Sequence, residues 1–282
     1  MGNAGAVGTE GDPRCVGTLA RGRLEGGDVL PQTVRGIGAG IALSGALVLA
    51  LRLVAEWRAA WFAAAVLATI LAAAAWRLRP DSAATVEADK VAPQPLTTPS
   101  RRLFAALSTS YTLEGVGYII AGTFLIAAIE QSSPGGLGSS AWVLVGIAAV
   151  PSAALWTWLV RRYFRSVLLM AALLLQSLGI ALPALSGSPA AALAAAALFG
   201  GTFAGISVLA LAAGATLRMP HAVAVLTSGY SVGQIGGPLL AAPLLHNGYR
   251  PALLLASAIV LTAAFAALPL REIVTGGHPS TA

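Results

Sequence analysis

Tyr111, Glu114 and Tyr118 follow one another at spacings of three and four residues. At about 100° per residue of helix, this puts a carboxylic acid and two phenols within about 60° of arc, on one narrow stripe. Such a stripe can exchange a proton or hold a cation. A second run, Thr227, Tyr230, Ser231 and Gln234, has the helical spacing i, i+3, i+4, i+7 without an acid. Its hydroxyls and amide can line the path of a polar solute or hydrogen-bond to a neighbouring helix. Beside it stand Gly229, Gly233 and Gly237, a ridge of small residues that lets another helix come close. Gly201 and Gly205 form a shorter ridge of the same kind.

The surroundings give the acid its meaning. The chain has 282 residues, of which 57% are hydrophobic and only 10% charged, and its mean hydropathy is +0.79. A soluble domain carries about a quarter charged residues, so the solvent implied here is lipid. Eight apolar segments, A to H, cover residues 36–54, 57–77, 103–129, 141–160, 166–185, 190–217, 222–245 and 251–270. Each approaches the roughly 20 residues a helix needs to span the hydrocarbon core. No alternation of a β-barrel is present, so the expected fold class is an all-α integral membrane protein with eight transmembrane helices.

Glu114 then lies close to the middle of segment C, where an ionised acid costs roughly 3 kcal/mol or more. It must stay protonated, have water and a cation beside it, or be a neutral acid hydrogen-bonded to a neighbouring helix. The first two are the proton-coupling and cation-binding readings, with Tyr111, Tyr118, Thr227, Tyr230, Ser231 and Gln234 as candidates for the substrate path. The third is structural. Segments C and G are the polar ones and are expected to face each other, a cavity or a partner. Segments B, E and H are almost uniformly aliphatic and are expected to face lipid over much of their surface. Pro151 and Pro238 are expected to kink their helices.

Residues 1–35 are Gly-rich and of mixed charge, without the apolar core of a signal peptide. They are expected to be a disordered or artefactual arm. Residues 36–78 hold two transmembrane helices. Residues 79–102, with Pro80, Pro93, Pro95 and Pro99, read as a solvated cytoplasmic linker. Residues 103–272 form a six-helix bundle, and 273–282 a cytoplasmic tail. Of the 17 Lys and Arg, all but Arg52, Arg58 and Arg250 fall in one alternating set of segments that includes both termini. The positive-inside rule places that set in the cytoplasm, with both ends of this multi-pass chain inside the plasma (inner) membrane.

Several functions are excluded. The net charge of +6 is dispersed in loops rather than gathered on one face, which argues against nucleic acid. The lone Cys15 cannot form an internal disulfide. His221, His246 and His278 have no companion ligands, so no metal site is expected, and no cofactor either. Gly229-Tyr230-Ser231-Val232-Gly233 matches the G-x-S-x-G pattern, with Glu272 and His278 following in triad order. That motif works only on a strand-to-helix elbow, and here it falls inside an apolar helix; no enzyme activity is expected.

The sequences YTLEGVGYIIAGTFL in C, LLLQSLGIALPAL in E, GGTFAGI in F and TSGYSVGQIGGPLLAAPL in G resemble the major facilitator superfamily. The likeness looks closest to its bacterial YbfB/YjiJ-type branch and covers roughly residues 36–272. GIGAGIALSG in A and WRAAWF at the start of B look like that family's fifth and sixth helices. The resemblance implies a permease that moves a small organic solute, coupled to protons through Glu114. It implies that C and F line a cavity, that D and G meet the other half, and that C–D–E and F–G–H are inverted repeats. It also implies that the family's first four helices are lacking, and that a second chain could supply them. The loop Val160-Arg-Arg-Tyr-Phe-Arg165 lacks the Gly and Asp usual in the family's cytoplasmic motif. The expected function is solute transport by a truncated permease; the alternative is a membrane scaffold or partner subunit that assembles through the glycine ridges. The bilayer and a small-molecule solute are the expected partners.

Overall fold

The computed structural model describes residues 40–47, 50–51, 57–75, 98–132, 137–217, 219 and 221–271. The expected arm 1–35, most of the linker and the tail 273–282 lie outside them. All described elements are helical. Residues 40–47 and 50–51 belong to segment A. There follow α1 (Trp57–Ala75), α2 (Thr98–Ser132), α3 (Leu137–Leu159), α4 (Arg165–Leu185), α5 (Pro189–Thr216), α6 (Ala222–Ala241) and α7 (Tyr249–Ala266), which correspond to segments B to H. Short 3-10 turns, Ala242–Asn247 and Leu268–Arg271, follow α6 and α7.

Five of these helices are long and apolar enough to cross a membrane: α2 to α5, and α7 with its following turn. Segments A, B and G are helical as well where they are described, in the order expected of the eight segments. In α1 the apolar stretch narrows to Trp61–Ala74. The 20 residues of α6 reach about 30 Å, but its Thr, Ser, Tyr and Gln side chains dilute its hydropathy. Helix α2 also starts at Thr98, ahead of the expected residue 103, so the last residues assigned to the linker are helical. Segment G ends its α-helix at Ala241, and the chain continues as a 3-10 turn with Pro243 in its first turn.

Local chemistry sets the breaks. The run from Ser166 to Leu217 divides at Ser188, whose Oγ accepts from the Ala191 N–H at 3.2 Å, with Pro189 opening α5. Gly248 enters α7 at φ 88°, a conformation that glycine adopts without steric cost.

Packing follows a two-fold pattern. Helix α2 packs most extensively on α6 and α7, α5 on α3 and α4, and α4 on α7. Exchanging α2 with α5, α3 with α6 and α4 with α7 leaves this pattern unchanged. Details repeat as well: a Cβ on Gly115 of α2 would meet the Tyr230 carbonyl oxygen on α6, and one on Gly200 of α5 would meet the Val145 carbonyl oxygen on α3. Between α4 and α7 the Ser177 and Ser257 hydroxyls each donate to the other's backbone carbonyl, both at 2.9 Å.

Segment E departs from expectation. Helix α4 turns Leu168, Leu169, Leu173, Gln176, Ser177 and Ile180 into the bundle and leaves Leu174, Leu175 and Leu178 outside. Its Gln176 and Ser177 side chains require a lining that lipid cannot provide, so the helix is held inward rather than lipid-facing over much of its surface. Helix α1, by contrast, exposes Trp61, Phe62, Val66 and Ile70. Segment A meets α3 closely, with Gly45 against Trp142 and Val143, and Ala42 against Gly146.

Candidate functional site

Helix α2 carries the acid inward. Glu114 is 1% exposed and Tyr111 5%, while Tyr118 is half-buried. Facing them on α6 is Tyr230. Its ring stacks on Tyr111 with centroids 4.6 Å apart and lies 6.0 Å from Tyr118. Tyr118 also meets Phe199 and Phe203 of α5, at 5.5 and 5.6 Å. Five aromatic rings from three helices thus form one cluster, and its three tyrosines stand near the carboxyl. Their mutual approach depends on the absence of side chains at Gly115 and along the α6 ridge. A Cβ on Gly229 would meet Thr112 Oγ1, one on Gly233 the Thr112 carbonyl, and one on Gly237 Ile119 and the Val116 carbonyl. The ridge packs on α2 inside the chain.

A residue that sequence reasoning passed over completes the cluster. Gln176 of α4 is fully buried, and its Nε2 donates to Glu114 Oε1 at 3.0 Å. Gln176 Oε1 lies 3.3 Å from Thr202 Oγ1 of α5, and the Thr202 hydroxyl reaches the Leu198 carbonyl at 2.7 Å. Glu114 Oε2 has no hydrogen-bond partner, although the Tyr230 phenol lies close to the carboxyl. The signal in the sequence was a single amide in a long aliphatic run.

The remaining candidates sit elsewhere. Thr227 and Ser231 are exposed, and Gln234 is half-buried; the Ser231 hydroxyl donates back to the Thr227 carbonyl at 2.9 Å. Of the second stripe, only Tyr230 joins the acid. Gly201 also differs from its expected packing role: a Cβ there would meet nothing within 4 Å, whereas Gly200 abuts Val145 and Gly205 abuts Trp156. What Gly201 contributes is its carbonyl, which accepts from Ser152 Oγ at 2.7 Å and Trp156 Nε1 at 2.8 Å. Gly229 to Gly233 lie in the interior of α6, so Ser231 is not on a nucleophile elbow; Glu272 and His278 are outside the described residues.

A neutral acid can share its proton with Gln176, and an ionised one can accept from it. Glu114 is also the only Asp, Glu, Lys, Arg or His within residues 103–129, 141–160, 166–185, 190–217, 222–245 and 251–270. No basic side chain within these segments can pair with it. No curated protein matches the chain. The model of the family described as uncharacterised MFS-type transporter YbfB matches residues 27–268. With its membrane-length helices, this multi-pass membrane protein belongs to that transporter family of the major facilitator superfamily.

Proposed function

We propose that the chain is a secondary transporter that moves a small organic solute across the bacterial inner membrane, with protonation of Glu114 coupled to solute movement. The observation that carries the reading is the buried carboxyl itself. One of its oxygens is held by Gln176 and the other is unbonded, amid the Tyr111, Tyr118 and Tyr230 rings. An intramembrane acid of this kind has a large cost when charged, and so responds strongly to whatever neutralises it.

Gln176 suits both protonation states. With Glu114 ionised, Nε2 donates to the carboxylate as found, and Gln176 Oε1 can accept from Thr202. With Glu114 protonated, a flipped amide accepts the acid's O–H through Oε1. It then donates from Nε2 to Thr202 Oγ1, whose own proton goes to the Leu198 carbonyl. Neither state leaves the amide unsatisfied, so Gln176 positions the carboxyl without fixing its charge.

The alternative of a scaffold or partner subunit would use the glycine ridges for assembly. The ridge at Gly229, Gly233 and Gly237 is occupied by α2 of the same chain, which favours transport. The distribution of basic residues supports cytoplasmic termini.

The test is uptake into proteoliposomes from a mixed pool of small organic solutes, under an imposed pH gradient, read by mass spectrometry. Glu114→Gln keeps the shape and fixes the group neutral. The expected result is normal insertion with loss of the pH-driven component of uptake. Undiminished proton-driven flux in this variant would overturn the coupling role.

A further inference from the structure

We infer that a hollow at one end of the bundle binds the phosphate of an anionic membrane lipid, a glycerophospholipid of the phosphatidylglycerol type. The site is separate from the Glu114 cluster and does not depend on the transport reading. The hollow has a volume of about 290 Å³. Its walls include Gln131 of α2, Pro183 of α4, Asn247 and Gly248 ahead of α7, and Tyr249 and Arg250 in its first turn. Three membrane-length spans stop at this level: two end at Gln131 and Leu185, and one starts at Tyr249. The hollow therefore lies where apolar helix gives way to water, the depth of lipid headgroups.

Arg250 supplies the charge. Its Nε donates to the Ala184 carbonyl at 2.8 Å, which holds the guanidinium against the end of α4. Its two Nη groups have no partner among the described residues. They stay in the plane of the guanidinium, a fork that matches two phosphate oxygens. No acid lines the hollow; Glu130, next to Gln131 in the chain, turns its Oε2 to the Gly138 N–H at 2.9 Å. The Gln131 and Asn247 amides can donate to or accept from the hydroxyls of a glycerol headgroup. The Tyr249 ring, stacked on Phe124 with centroids 5.9 Å apart, provides an apolar wall.

Two sources can present such a phosphate, a lipid headgroup or a free organic phosphate. The surroundings favour the lipid. Along α7 from Arg250, Leu254 and Leu261 are exposed, and α4, which packs on α7, exposes Leu178 and Leu185. These side chains can take the acyl chains of a lipid whose phosphate sits on Arg250. Arg250 and Asn247 are themselves exposed, and an ion pair in contact with water is weak on its own. A free anion has little else to hold it, whereas the bilayer already keeps a lipid at this depth.

The test is native mass spectrometry of the full chain from nonionic detergent micelles. The probes are dioleoyl phosphatidylglycerol, its zwitterionic counterpart dioleoyl phosphatidylcholine, and glycerol 3-phosphate. The expected result is a first binding step about threefold or more tighter for phosphatidylglycerol than for phosphatidylcholine, with no displacement by equimolar glycerol 3-phosphate. Arg250→Gln is expected to weaken that step by about 3- to 10-fold. Arg161→Gln, beyond the other end of α4, is expected to leave it unchanged. Asn247→Ala keeps the Arg250 bond to Ala184 and is expected to weaken the step by about 2- to 10-fold. Unchanged affinity in Arg250→Gln, or in Asn247→Ala where the first variant misfolds, overturns the inference. So does equal affinity for the two lipids. Displacement by equimolar glycerol 3-phosphate assigns the hollow to a free anion and overturns the lipid.

Discussion

Two glycines three residues apart on α6 should respond to the same substitution in opposite directions. Gly233 and Gly236 both lie inside Ala222–Ala241, so Gly→Ala gains about 1 kcal/mol of helix propensity at either position. At Gly236 the added methyl meets nothing within 4 Å, and the gain should stand. At Gly233 it would press into the Thr112 carbonyl oxygen, with Val116 N at 3.0 Å and Val116 Cγ2 at 3.3 Å. Those atoms belong mostly to the backbone of α2 and cannot rotate away, so α6 has to move outward. The displacement also loosens Gly229 and Gly237 on the same ridge. Overpacking of this kind costs about 1–3 kcal/mol. Since the propensity gain is common to both variants, the difference between them isolates the steric cost, and their melting temperatures should differ by roughly 2–10 °C. The assay is thermal unfolding in detergent followed by tryptophan fluorescence. Equal stability of Gly233→Ala and Gly236→Ala would refute the claim that the ridge brings α6 onto α2.

Gln176→Leu should destabilise the bundle by about 1–3 kcal/mol, because a buried acid loses its donor; the double change Glu114→Leu with Gln176→Leu should cost less than the single one, measured in the same melts. Ser152→Ala and Trp156→Phe should each cost about 0.6 kcal/mol, as the Gly201 carbonyl keeps the other donor, and the pair should cost more than the two together; strict additivity would count against the shared acceptor. Reporter fusions after residues 90, 163 and 275 should report cytoplasm and a fusion after 135 the opposite side; a cytoplasmic signal at 135 would break the assigned orientation.

The part of this organisation legible in the sequence is the part written in periodicity. Helical spacing put Tyr111, Glu114 and Tyr118 on one stripe, and polarity singled out α2 and α6 as helices that face each other, a cavity or a partner; the Tyr111–Tyr230 stack shows that they face each other. What escaped depends on phase between helices. Gln176 is one amide in an aliphatic helix, and averaging over the run concealed it; only the crossing of α4 and α2 makes it the donor to Glu114. The glycine notch on α5 failed for the same reason. Spacing picked Gly201 with Gly205, whereas the rotation of α5 against α3 engages Gly200 and Gly205 and turns Gly201 to open space. A pattern within one helix gives a face, but not the angle at which another helix meets it.

The repeated contacts, Gly115 on Tyr230 and Gly200 on Val145, put Glu114 and Phe199 in equivalent places of two three-helix units. Where two such units are inverted repeats, as the resemblance implies here, they can trade shapes to convert an opening on one side into an opening on the other. Perfect copies would make these two arrangements equal in energy, like a balance with identical pans. The weight that tips it must come from what the copies do not share. Here a carboxyl stands opposite a phenyl ring, so adding or removing a single proton changes the load on one pan only. Under the proton coupling proposed above, the mismatch between positions 114 and 199 is where a chemical gradient takes hold of an otherwise level equilibrium.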